Sequence, residues 1–411
     1  MFVKYNKDEN KVPLKIWLDN INDIEKSCLE QADNLSNLPF VHKWVALMPD
    51  THTGMGMPIG SVIATKDVII PNAVGSDIGC GMIYTETNLT SDQLRETTTP
   101  NGSLLQAIIG DIMRSIPVGF EKHRSKQDSE VLDKAYYKLK DNKHFSHFSD
   151  ALENAYFQVG TLGGGNHFIE LQEDENHQLM IMVHSGSRHL GNQINKYFHN
   201  IARIENQKYY SSVPDYYKLA FLPSTDSLGK DYIQYMTLAL DYAYENRSRM
   251  LEIIQNIIKK YAKKYLDKEV TFSEPLNRHH NYAAYELHYG EKVWVHRKGA
   301  ISAKEGEIGI IPGAMGSYSY IVMGLGNEEA FCSCSHGAGR KYSRKHAKEL
   351  ISVESVMNEL KAMNVVLGKK SKNDVAEEAR NSYKNIDEVI NNELDLITPL
   401  KKLKTVGVIK G

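Results

Sequence analysis

The stretch HKWVALMPDTHTGMGMPIGSVIATKDVIIPNAVGSDIGCGM, residues 42–82, decides how the chain folds. It is a series of short apolar runs of β type, cut by glycine and proline turns, with polar side chains at the run ends. Its closing segment, VGSDIGCGM (74–82), sets Asp77 and Cys80 among glycines. The pattern returns in LMIMVHSGS (179–187), KVWVHRKGA (292–300) and GSYSYIVMG (316–324). Each is a β-rich run followed or preceded by a glycine turn that carries polar groups. Strand ends feeding such loops are where active-site residues collect.

Other segments have helical spacing. Apolar residues recur at that spacing, with charges opposite, from about 228 to 267, which contains LALDYAYENRSRMLEIIQNIIKKYAKKYL. Residues 13–32, 343–363 and 373–394 also read as helices. No Pro/Ser/Gly-rich linker, internal repeat or low-complexity tract divides the chain. The expectation is an α+β protein forming one large domain over residues 1–411, rather than two domains. Its core would be a mixed β-sheet with the site at strand–loop junctions, and a long helical insert would span about 190–270.

A chain of 411 residues, 41% hydrophobic and 24% charged, has enough apolar material for a large core. The net charge of −2 gives no global basicity, so a nucleic-acid partner requires a local patch. YFHNIARIENQKYY and KKYAKKYL supply basic and tyrosine-rich stretches, which read equally as solvated helix faces. Four cysteines make no disulfide framework, and Cys332 and Cys334 stand too close to pair comfortably. A reducing, cytoplasmic setting is expected. No signal-peptide core or membrane-length apolar run is present, so no membrane span is expected.

The reactive side chains fall on the β-to-loop junctions. Asn166 and His167 lie in GTLGGGNHFIE, His184 in IMVHSGSR, His279 and His280 in NRHHNYA, and His336 in SCSHGAGR. A lone histidine at a strand end is usually a structural hydrogen-bonder. Several of them among glycines, together with Asp77 and Cys80, make a donor set for a first-row transition metal. One unpaired thiolate suits a catalytic site better than a structural zinc, and a thiolate can bridge two ions for phosphoryl chemistry. By spacing alone the structural alternative stays open: Asp77 as a helix cap and Cys80 as a small core residue. GGGNH is similar to a phosphate-binding loop but lacks the GxxxxGK[ST] pattern.

Taken together, VGSDIGCGM, GTLGGGNHFIE, VHSGSR, HHNYA, VHRKGA, PGAMGSYSYIV, SHGAGR and SYKNIDEV resemble the RNA-splicing ligase RtcB family, in order along most of the chain, from ALMPDTHTGMGMPIGS to the terminal VGVIKG. The resemblance implies an RNA ligase that joins a 3′-phosphate or 2′,3′-cyclic phosphate end to a 5′-hydroxyl end, using GTP and Mn²⁺, in tRNA splicing or RNA repair. It implies Cys80 as a thiolate bridging two Mn²⁺ ions, with Asp77 and His167 completing one and His184 and His280 the other. His336 matches the histidine that becomes guanylylated. Asn166 and Arg188 would hold phosphates. Glu170, Ser319, Ala338, Tyr383 and Lys410 match positions around guanine and ribose, with Tyr383 stacked on the base and Arg340 near the nucleotide. Asp50 and His52 would support them. A monomer is expected.

The chain departs from the family pattern at three places. Ala314 stands where serine is frequent, His189 where glycine is usual, and Arg380 lies in EEARNSYK, which lacks a proline before Tyr383. Two other functions compete on the residues themselves. A metal-dependent phosphoesterase acting on RNA ends would use water and need neither GTP nor His336. An RNA-binding protein without catalysis would need none of this side-chain set.

Overall fold

The computed structural model describes residues 1–369, 371 and 375–411. Among the described residues, two large sheets carry the fold. The first has six strands, ordered Phe2–Lys4, Leu14–Ile16, Val41–His52, Ile59–Thr65, Glu291–Lys298 and Asn281–His288. The opening stretch of the sequence thus supplies its central hairpin, as the alternation of apolar runs and turns predicts. The second has eight strands. Seven run in the order Leu276–His279, Gly81–Thr90, Gln178–Ser185, Phe168–Glu173, Ile397–Lys410, Tyr318–Gly324 and Ile308–Ile311, and Val366–Gly368 adds a parallel pairing to Ile397–Lys410. The other pairs in this sheet are antiparallel, so it is mixed, as expected.

Successive side chains of a strand point to opposite faces. In Gly81–Thr90, Ile83 packs into a core with Ile169, Ile181, Val183, Met250, Leu251 and Ile254. Its neighbours Met82 and Tyr84 turn to the other face, against Met180, Met182, Ile321, Leu403 and Val408. Both faces of the sheet are therefore covered. The first of these cores is closed by the helix Ser227–Leu266, whose buried residues recur at helical spacing.

Ser227–Leu266 matches the expected 228–267 segment, and Arg188–Lys208 precedes it. Residues 13–32 are not one helix. Leu14–Ile16 is a fully buried strand, paired in parallel with Val45–Leu47, and the helix begins only at Lys26 and runs to Ser36. Alternation of period two over LKI was masked by the helix-forming residues that follow. The 343–363 segment is two helices, Arg344–Leu350 and Val353–Ala362, separated where Ser352 caps the second. The 373–394 reading resolves into the short 3-10 turns Val375–Glu378 and Arg380–Ser382 and the helix Ile386–Asn391, with residues 373 and 374 outside the described ones. Helices Leu104–Ser115, Glu130–Leu139 and Phe145–Gln158 were not anticipated.

No helix among the described residues is long and apolar enough to cross a membrane.

Candidate active site

Antiparallel register brings distant segments to one margin of the eight-stranded sheet. Gly81 pairs with both Ser185 and His279, and His184 pairs with Met82 and Phe168. Phe168 in turn pairs with Lys410 near the end of the chain. Cys80, His167, His184, His280 and Lys410 therefore all sit at or beside strand ends on this margin.

There the donors converge in two groups that share one thiol: Asp77, Cys80 and His167, and Cys80, His184 and His280. Cys80 Sγ lies 3.5 Å from His167 Nε2 and 3.2 Å from His184 Nε2. Asp77 Oδ2 is 3.0 Å from His167 Nε2, and the Nε2 atoms of His184 and His280 are 3.3 Å apart. Backbone carbonyls engage the other ring nitrogens. His167 Nδ1 donates to the Leu162 carbonyl at 2.9 Å and His184 Nδ1 to the Asn166 carbonyl at 3.0 Å. A neutral ring that donates from Nδ1, as His184 does, presents an unprotonated Nε2, the arrangement that outer hydrogen bonds impose on metal-ligating histidines.

Electrostatics fit a cation here. Burial first, and then the neighbouring histidine charges, hold His184 and His280 well below the ordinary imidazole range, so both rings are neutral donors. Burial and then the Asp77 carboxylate push the Cys80 thiol well above its ordinary range, so a thiolate at this place requires a compensating positive charge. Burial also works against ionised Asp77, but its bond from His167 outweighs that and keeps the carboxyl below its usual value. Asp77 Oδ1 and His280 Nδ1 are buried without a hydrogen-bond partner. These are the groups that an ion or an ion-bound ligand would satisfy. Space is tight: a Cβ at Gly186 would come 2.2 Å from Asp77 Oδ1, so only glycine fits there.

His336 adjoins this cluster, its ring centroid 4.8 Å from that of His280. Its Nδ1 donates to Asp50 Oδ2 at 2.6 Å, and its backbone N–H donates to the same oxygen at 3.2 Å. Asp50 is fully buried. The two bonds to one buried carboxylate fix the ring. Beneath it, Ser335 bonds the buried Glu393 through both its backbone N–H and its hydroxyl. His52 bonds the Asp50 carbonyl through Nδ1 at 2.9 Å, and burial lowers its pKa to about 4.

A cavity of about 260 Å³ opens beside His336. Its walls include Asn166, Glu170, His184, Ala314, Ala338, Arg340, Tyr383 and Lys410. Glu378 and Arg344, which the sequence reading did not single out, line it too. Glu378 is buried and ties three expected residues together: it accepts from Lys410 Nζ at 2.9 Å, Tyr383 Oη at 2.7 Å and Arg340 Nη1 at 3.3 Å. Arg340 also lies over the Tyr383 ring at 4.9 Å. Burial raises the Glu170 carboxyl to about 7, against the opposing bond from Gln172. Ser319 is not on this wall. It is fully buried behind it, accepting from Gln172 Nε2 at 3.0 Å and from the Gly313 N–H at 3.2 Å. Arg188 also lies off the wall, against Gly163 of the glycine loop, where it donates to Thr161 Oγ1 at 3.1 Å and to the Gly119 carbonyl at 2.9 Å. Ala314 is buried at the cavity, whereas His189 and Arg380 are exposed outside it.

Two adjacent residues of the long helix hold the donor-bearing strands in place. The buried Arg247 guanidinium donates to the Gly79 carbonyl at 2.8 Å, the Ser185 carbonyl at 2.9 Å and Asn277 Oδ1 at 2.8 Å, and reaches His279 Nδ1 at 3.1 Å. Gly79, Ser185 and His279 are each the immediate neighbour of a cluster donor: Cys80, His184 and His280. His279 Nδ1 also lies 3.0 Å from the Gly79 carbonyl. A guanidinium always carries its hydrogens, so the ring nitrogen accepts from Arg247, and the carbonyl is already served by Nη1. Asn246 accepts from the N–H groups of Gly160 and Thr161 and donates to Thr161, Ser185 and Gly186. In the sequence both read as polar residues of an amphipathic helix. Only their full burial distinguishes them.

A buried thiol shared by two donor groups, a braced histidine and an adjoining cavity are parts that metal-assisted phosphoryl-transfer enzymes use. Comparison with known proteins gives the class: residues 31–411 match the family model described as tRNA-splicing ligase RtcB. The chain is 40% identical over 414 residues to the RNA-splicing ligase RtcB of Escherichia coli strain K12, covering 97% of each chain. It is 32% identical over 468 residues to the tRNA-splicing ligase RtcB of Nanoarchaeum equitans, covering 97% of this chain and 95% of the relative. With the tRNA-splicing ligase RtcB of Thermococcus kodakarensis it shares 30% identity over 472 residues, covering 98% of this chain and 95% of that one. The chain belongs to the RtcB family and is a ligase.

Proposed function

We propose that this ligase joins an RNA 3′-phosphate or 2′,3′-cyclic phosphate end to a 5′-hydroxyl end, with GTP as the energy source and His336 as the residue that carries GMP. The observation that carries this reading is the placement of His336: its Nδ1 is committed to Asp50, and its ring lies beside the donor cluster and on the wall of the cavity.

In this account His336 Nε2 attacks the α-phosphorus of GTP, forming a P–N bond as pyrophosphate leaves. Asp50 stabilises the positive charge that grows on the ring. An RNA 3′-phosphate oxygen then takes the GMP, breaking the P–N bond and restoring the neutral imidazole. The 5′-hydroxyl attacks the activated phosphate, losing its proton as GMP departs. A cyclic end is first hydrolysed to the 3′-phosphate. Asp77, Cys80, His167, His184 and His280 would hold two Mn²⁺ ions, with Cys80 common to both. Bound metal supplies charge neutralisation and alignment for the phosphates.

Asn166 and Arg188 hold phosphates. Tyr383 stacks on guanine, and Glu170, Ser319, Ala338, Arg340 and Lys410 complete the nucleotide site directly or by bracing its wall. The whole of residues 1–411 works as one ligase domain, as a cytoplasmic monomer acting in tRNA splicing or RNA repair. Incubation with labelled GTP and Mn²⁺ followed by a denaturing gel tests the proposal. A labelled protein band is expected. A phosphoesterase working with water would leave the protein unlabelled.

A further inference from the structure

Phe120 is the most exposed large apolar residue among those described, at 105% of a free side chain. Water around a whole aromatic ring is unfavourable. Here the backbone on both sides is pinned. The Gly119 N–H donates to the Gly163 carbonyl at 2.9 Å, and the Gly119 carbonyl accepts from Arg188 Nη2 at 2.9 Å. The Glu121 N–H donates to the Val118 carbonyl at 3.1 Å and the His123 N–H to the Phe157 carbonyl at 2.9 Å. The ring is thus displayed on a fixed turn.

The turn belongs to the rim of the active site. Gly163, to which Gly119 is bonded, is so close to the donor cluster that a Cβ there would come 2.7 Å from His167 Nδ1. Arg188 is clamped by the residue directly before Phe120. Basic side chains lie on the segments around the turn: Arg124 and Lys122 are exposed on the same segment, Lys122 bonded to Asn154 Oδ1 at 2.8 Å, and Arg344 lies at the glycine loop, where a Cβ at Gly165 would meet its guanidinium at 2.7 Å.

We propose that Phe120 is the stacking platform for the terminal nucleobase of the RNA 3′ end, beside the phosphate that Arg188 and Asn166 hold. This rests on the RNA-joining reading above. Single-strand binders combine a basic track for the backbone with aromatic rings on which bases lie, and every base has a π face to offer. A protein-docking site would show a contiguous apolar patch. Phe120 stands instead among Glu121, Lys122, His123 and Arg124.

The test uses the full chain and its Phe120→Ala and Phe120→Trp variants, with a single-stranded RNA bearing a 3′-phosphate. Phe120 lies outside the nucleotide cavity, so GMP uptake from GTP without RNA is expected to be the same in all three. The alanine variant is expected to raise the KM for RNA about 5- to 100-fold, and tryptophan to keep it near the wild-type value. An RNA whose terminal nucleotide lacks its base should cost the wild type that same factor and cost Phe120→Ala nothing further. A terminal 2-aminopurine should be quenched on binding the wild type but not the alanine variant. Equal KM values for wild type and Phe120→Ala, or an abasic penalty that persists in the variant, would overturn the platform. If the wild type takes up no GMP and seals no RNA, the ligase reading fails instead, while the 2-aminopurine signal still reports on Phe120.

Discussion

His336 gives its Nδ1 hydrogen to the Asp50 carboxylate across 2.6 Å, a contact between residues 286 positions apart in the chain. A histidine cannot serve as a nucleophile from Nε2 unless its proton resides on Nδ1, and Asp50 fixes that choice. An orienting carboxylate of this kind is worth about 10⁴ in rate in a hydrolase triad. Asp50→Ala is expected to slow GMP uptake by ~100-fold or more while leaving metal content unchanged, measured by labelling kinetics and elemental analysis. Labelling at the wild-type rate would remove Asp50 from the chemistry.

The two donor groups meet at Cys80 and not at Cys28, which is buried in the helix Lys26–Ser36 beside Thr51. A hydroxyl is a far poorer anionic ligand than a thiolate. Cys80→Ser is therefore expected to lose bound metal and at least ~100-fold in ligation, with Cys28→Ser near wild type. Metal content of the two purified variants checks this, and equal content would refute a shared thiolate. Exhaustive chelation of the wild type should abolish GMP uptake, and Mn²⁺ should restore it.

Much of this site was legible because its residues sit in short segments with chemistry of their own. Asp77, Cys80, His167, His184, His280 and His336 are polar groups at the ends of apolar runs, and the runs did form strands. Residues 13–32 misled because a three-residue buried strand gives too short an alternation to compete with the helical pattern after it. Glu378 was invisible because a glutamate among polar residues reads as surface. Its burial depends on Lys410 and Arg340 arriving from two other segments to join Tyr383, five residues along its own. Arg247 and Asn246 were hidden in the same way, since a helix pattern does not tell which polar residue faces a sheet margin.

Arg247 serves four acceptors on the segments that carry Cys80, His184 and His280, and burial lowers its pKa only to about 10, so it remains charged. Arg247→Met leaves those acceptors buried and unserved, at about 1–3 kcal/mol each. The variant is expected to melt earlier and to bind metal ~10- to 100-fold more weakly, with Arg247→Lys in between. Thermal melts with chelator, set beside metal titration, separate the two effects. Unchanged metal affinity in a folded Arg247→Met protein would reduce Arg247 to a stabilising role.

Lys410 is the penultimate residue, a position where chains commonly fray, yet it is buried in a strand opposite Phe168 and paired with buried Glu378. Removing one partner of such a pair strands the other charge, at about 3–5 kcal/mol. Lys410→Met is expected to destabilise more than Lys410→Met combined with Glu378→Leu. Both should raise the GTP requirement and weaken the choice of GTP over ATP. Denaturant melts and nucleotide competition measure these, and an unchanged nucleotide profile would detach Lys410 from guanine recognition.

His336 is the proposed carrier of GMP. The protein incubated with GTP and Mn²⁺ should gain the mass of one GMP, held by an acid-labile, base-stable P–N bond that peptide mass spectrometry maps to His336. His336→Ala should take up no GMP, keep its metal, and still seal an RNA whose 3′ end already bears GMP. An adduct mapped to any other residue, or GMP uptake by His336→Ala, would contradict the account.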